Sequence, residues 1–93
     1  MNDLLEKAKQ TLSIVQTATA KDEEISNLIL AAELDMQRQG INVDTTNALV
    51  VSTIMMFVKG NFGNVEIKEK ELAQRTYKLL CTNLSLSSEY NED

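Results

Sequence analysis

The groups in this chain best suited to chemistry are its carboxylates and a single thiol. Glu23 stands beside Glu24, Glu33 is two residues from Asp35, and Glu66, Glu69 and Glu71 crowd one stretch. Paired acids can act as general acid and base, but only when a cleft gives them different environments. The first two pairs read as solvated helix faces. The third group is interleaved with Lys68 and Lys70, which neutralise it as a metal site. The chain has no histidine, so the commonest general base and metal ligand are both missing. Cys81, in Lys78-Leu79-Leu80-Cys81-Thr82, reads as a small buried hydrophobe. Gly60-x-x-Gly63 lacks the Lys and Ser/Thr of a phosphate loop. Met36, Met55 and Met56 suit core gaps better than a cofactor. The expectation is a protein that is not an enzyme, with no catalytic residue, metal or cofactor.

The elements that would hold these residues belong to one domain of 93 residues. The content is 43% hydrophobic and 25% charged, as in folded soluble domains. The net charge is −5, unevenly spread. Residues 22–44 hold six acids against Arg38, and residues 45–65 carry only Lys59. No basic stripe is present to hold nucleic-acid phosphates. The start, Met1 to Lys7, lacks the pattern of a signal peptide, which places the chain in the cytoplasm.

Ala48–Val58 is apolar apart from Ser52 and Thr53. Eleven residues are too few to span a bilayer and too many for a typical strand. A helix apolar on every side needs cover from every side, and a small domain has little material to give it. The expectation is that other copies or partners cover part of it.

Helical spacing of Leu4, Leu5, Ala8 and Leu12 predicts a first helix from Asp3 to about Leu12. Ser13–Ala20 reads as a connector that buries Ile14 or Val15. A second helix begins at Asp22-Glu23-Glu24, where acids suit the N-terminus, and ends at Gly40. Ile25, Leu28, Ile29, Ala32 and Met36 form its inner face. The third carries the apolar run, with Asp44 as N-cap and Gly60 as its stop. The fourth runs from Glu66 or Ile67 to Leu84, with Leu72, Thr76, Leu79, Leu80, Asn83 and Leu84 inward. The fold class is therefore all-α: a small four-helix bundle-like domain over residues 1–84, with a long apolar third helix. Residues 85–93 form a loose C-terminal tail in which Leu86 and Tyr90, four apart, could anchor on a partner.

The second half also carries a signature. Val58-Lys59-Gly60-Asn61-Phe62-Gly63, then Tyr77-Lys78-Leu79-Leu80, then Asn83-Leu84-Ser85-Leu86-Ser87-Ser88-Glu89-Tyr90 resembles the small head–tail connector (adaptor, or DNA-packaging) proteins of tailed phages. The likeness is nearest to those of Gram-positive hosts and their prophages. Asp22-Glu23-Glu24-Ile25 leading to Leu28-Ile29-x-Ala31-Ala32 looks like that family's second helix. The bridge from Ile41 to Thr46 departs from it, being longer and more polar.

The resemblance implies a structural virion protein: a dodecameric homo-oligomeric ring under the portal at the head–tail neck. Such a ring extends the DNA channel and meets a downstream neck or tail-completion protein. DNA would pass its lumen without sequence-specific binding, and assembly would take place in the host cytoplasm without a membrane. On this reading Leu49, Val50, Ile54, Phe57 and Val58 divide between the subunit core and the ring interface. Tyr77, Leu84, Leu86 and Tyr90 would face the portal. Two other readings stay open: a small helical regulator that sequesters a partner, and a packaging accessory that contacts the terminase.

Overall fold

The computed structural model describes residues 3–86 and folds them into four helices: α1 (Asp3–Thr11), α2 (Asp22–Arg38), α3 (Ala48–Asn61) and α4 (Ile67–Leu86). The all-α class read from the periodicity is the observed one. Helix α3 is the spine, and α1, α2 and α4 all pack against it.

Two of the connections are set by the same cap. At the end of α2, Gly40 takes φ +82°, and the Ile41 N–H donates to the Met36 carbonyl at 3.1 Å. The Gly40 N–H reaches the Gln37 carbonyl at 3.0 Å, completing a Schellman motif whose apolar partners, Ile41 and Met36, are both buried. At the end of α1 the same pattern forms without glycine. Ser13 sits at φ +61°, with the Ile14 N–H on the Lys9 carbonyl at 2.8 Å and the Ser13 N–H on Gln10 at 3.1 Å. Ile14 turns partly inward and Val15 outward.

Lys9 ties α1 to the start of α2. Its ammonium is buried, 2.8 Å from Asp22 Oδ1 and 2.9 Å from the Gln16 carbonyl. Gln16 in turn donates to the Glu6 carbonyl at 3.1 Å. The connector is therefore tied down at both ends by polar contacts, with little apolar burial.

Helix α3 starts later than the Asp44 signal implies. Asn47 is its N-cap, with its side-chain oxygen accepting from the Leu49 N–H at 2.9 Å and the Val50 N–H at 3.3 Å. Asp44 instead closes a turn of its own by accepting from the Thr46 N–H and hydroxyl at 3.0 and 2.6 Å. Both residues are good caps; the one nearer the apolar run takes the helix.

The chain itself covers most of α3, although Leu49 stays exposed and Val51, Met56 and Phe57 half-buried. Val50, Thr53, Ile54, Met55, Val58 and Gly60 are buried in it, against Ala8 of α1, Ile25, Ile29, Ala32 and Met36 of α2, and Tyr77, Cys81 and Leu84 of α4. Thr53 is tolerated there because its hydroxyl donates to the Leu49 carbonyl at 2.8 Å. Three helices around a fourth bury most, but not all, of a 14-residue element.

Gly60 does not stop α3. It lies inside the last turn, where α3 and α4 touch most closely: a Cβ there would lie 2.8 Å from Gln74 Cγ and 3.3 Å from the Gln74 backbone nitrogen. The Gln74 side-chain amide spans the same contact, donating to the Gly60 carbonyl at 2.6 Å. Gly60→Ala is expected to lower stability by about 1–3 kcal/mol through overpacking, which outweighs the gain of about 1 kcal/mol in helix propensity. Thermal unfolding checks this; an unchanged or raised midpoint would mean that the two helices separate without cost.

The inward face of α4 is Ala73, Tyr77, Cys81 and Leu84, with Leu80 partly covered. Leu72, Leu79 and Asn83, expected inside, are exposed. The small Ala73 lies beside the Gly60–Gln74 contact, and the larger Tyr77 and Leu84 fill the space farther along α3. Helix α4 also extends two residues past the expected end, so Ser85 and Leu86 belong to it.

Candidate functional site

Two regions of the surface can interact with something else: a cleft between α2 and α4, and the outward faces of those same helices. The cleft has a volume of about 520 Å³ and is lined by Asp35, Gln39, Phe57, Asn61, Gln74, Tyr77, Lys78, Cys81 and Thr82. At its base the Tyr77 hydroxyl donates to Asp35 Oδ2 at 2.6 Å, joining helices 42 residues apart. Arg38 donates to Asp35 Oδ1 at 2.8 Å and Gln39 to Oδ2 at 3.0 Å. The Tyr77 ring meets Phe57 edge to face, with centroids 5.1 Å apart.

The electrostatics make this a latch. The Tyr77 hydrogen bond, followed by Arg38 and Gln39, lowers the Asp35 pKa against a smaller opposing effect of burial. Burial foremost, and then Asp35, raises the Tyr77 pKa well above the ordinary tyrosine value. Burial raises that of Cys81, so its thiol stays protonated and is a poor nucleophile. The other amides of the cleft are engaged as well, Gln74 with the Gly60 carbonyl and Asn61 with Phe57 at 2.8 Å. The arrangement has an ionised acid with its donors in place and no activated group beside it.

The two shifts give stability a pH dependence with two limbs. Asp35 is lowered, so its contribution is complete above the ordinary aspartate value of 3.8 and is lost as pH falls through the lower folded value. Tyr77 is raised, so its contribution is complete below 10.0 and is lost as pH rises beyond it. Tyr77→Phe is expected to lower stability at neutral pH by about 1–2 kcal/mol. It should also shrink the acid limb and remove this residue's alkaline limb. Urea midpoints across pH test it; limbs identical to those of the parent chain would refute the assignment.

The outward faces are different in kind. On α4, Leu72, Leu79 and Leu86 recur every seven residues and are 57, 62 and 80% exposed. They form a leucine row along a helix of about 30 Å, interrupted by Arg75, Thr76, Thr82 and Asn83. On α2, Leu30 and Leu34 are four apart and 57 and 62% exposed. Scattered exposed leucines are ordinary, whereas aligned ones mark contact surfaces.

The residues assigned from sequence are therefore divided. Val50, Ile54 and Val58 are fully buried, and in this conformation they have no surface to offer another copy. Phe57 is partly buried against Tyr77, and Leu49 is the one of the five that is exposed. Of the portal-facing set, Leu84 is core, and Tyr77 is buried with its hydroxyl committed to Asp35. Leu86 is exposed at the end of α4, and Tyr90 lies outside the described residues. Sequence reading missed the Asp35–Tyr77 bond and the leucine stripe. The stripe had a signal, the seven-residue spacing of Leu72, Leu79 and Leu86, that the assignment of leucines to the core obscured.

Among the described residues no cluster of three or more Cys, Asp or Glu side chains is placed to hold a metal, and no helix is long and apolar enough to cross a membrane. Comparison with protein-family models, curated proteins and solved structures finds no match to this chain.

Proposed function

We propose that this chain is a structural subunit of a phage head–tail connector, a homo-oligomeric ring that docks beneath the portal. The observation that carries this reading is the leucine stripe of α4. Two of its three leucines, Leu79 and Leu86, lie in the segments Tyr77–Leu80 and Asn83–Tyr90 whose sequence resembles that family. A domain that has already filled its core and still aligns three large leucines in water is suited to assembly. The net charge of −5 supports a channel wall that DNA passes without sticking. The ring would link head to tail in the virion neck and receive a downstream neck or tail-completion protein.

Size-exclusion chromatography with light scattering, with and without purified portal protein, tests the reading. The expected result is a complex that contains portal and many copies of this chain. A chain that stays monomeric or dimeric and leaves portal untouched would overturn it. Removal of residues 87–93 separately tests the terminal segment: undiminished attachment to portal-bearing heads would exclude it from docking.

A further inference from the structure

We propose that copies of this chain join head to tail, the outward face of α4 on one copy packing against the outward face of α2 on the next. This rests on the connector reading and names the two surfaces it requires. Both faces hold aligned, exposed leucines, and both point away from the α3 spine, so neither can cover the other within one copy.

Charge selects the pairing. Helix α2 carries five carboxylates against Arg38, while α4 carries four cations, Lys68, Lys70, Arg75 and Lys78, against Glu69 and Glu71. Lys68 and Arg75 are exposed and stand four residues before Leu72 and Leu79, so they share the stripe. Glu23, also exposed, stands seven residues before Leu30 and shares the face of Leu30 and Leu34. Arg38 and Asp35 offset each other at 2.8 Å and Asp22 is paired with Lys9, so Glu23, Glu24 and Glu33 give α2 its acidic character. A two-fold pairing of α4 with α4 would set cationic helix on cationic helix, and α2 with α2 acid on acid. The mixed pairing joins opposite charges and leaves a free α4 face at one end and a free α2 face at the other. A contact of this kind propagates until it closes into a ring.

Two single-face variants separate the possibilities. Leu79→Lys disables the α4 face and Leu34→Lys the α2 face; both positions are exposed, so circular dichroism and thermal midpoint should match the parent. Sedimentation is followed at millimolar chain concentration. The parent should form assemblies larger than dimers, each variant alone should self-associate about tenfold or more weakly, and an equimolar mixture should stop at dimers. Leu34→Lys alone dimerising as well as the parent would overturn the pairing in favour of α4 on α4. A parent chain and mixture that stay monomeric would overturn it outright. Portal binding is read separately by pull-down on the portal protein encoded in the same genome. Portal binding without association between copies overturns this pairing alone, and association without portal binding overturns the connector reading alone.

Discussion

Ile54→Ala is expected to remove about 2–5 kcal/mol of folding stability, a large part of the total of roughly 5–14 kcal/mol ordinary for a domain of this size. Ile54 is fully buried at the centre of α3, with helices packed around it, so deleting its outer carbons leaves a cavity that cannot readily collapse. Leu49→Ala, one turn earlier and 40% exposed, should change stability by less than about 1 kcal/mol. Urea unfolding of both variants at low chain concentration makes the comparison. If Ile54→Ala left the single chain as stable as the parent, the assignment of the apolar run to the chain's own core would fail.

The second large effect is expected at Lys9. Lys9→Met keeps the length of the side chain but leaves the Asp22 carboxylate without its ion-pair partner and the Gln16 carbonyl without its donor. Removing one member of a buried ion pair costs about 3–5 kcal/mol, and the partial exposure of Asp22 places the loss near 3 kcal/mol, the lower end of that range. Because the ammonium is buried, the loss should change little between low and high salt. A double-mutant cycle with Asp22→Asn should return a coupling of about 1–3 kcal/mol. Coupling near zero would show that Lys9 acts through its methylenes alone.

What was legible in the sequence was periodicity. The inner face of α2 appears largely as read, with Ile25, Ile29, Ala32 and Met36 buried and Leu28 half-buried at its edge. The bounds of α1 and α2 were legible for the same reason, reinforced by Asp22 and Gly40. In α4 two periods compete. Leucine at 72, 79 and 86 outweighs alanine, tyrosine, cysteine and leucine at 73, 77, 81 and 84 position for position, yet the second set goes inside. Packing against α3 decides that choice, and packing is a property of two helices together. The same limit hid Gly60 itself, which has the composition of a stop signal and the position of a contact. Tyr77 and Asp35 are 42 residues apart in sequence, so no local pattern could join them. Nothing local in the sequence marks Lys9, because its partner, Asp22, lies across the connector and also suits the start of a helix.

The position of α3 gives the molecule a graded resistance to solvent. Its amides are shielded by three other helices, so they should exchange with deuterium only when the whole domain opens. Helix α1, nine residues long and fastened through Ala8 and the Lys9 tie, can lift away at far smaller cost. The order of labelling would run from the first helix inward to the third. The chain's most apolar segment is thereby the last to open fully, although lifting α1 uncovers the side of it that α1 packs against.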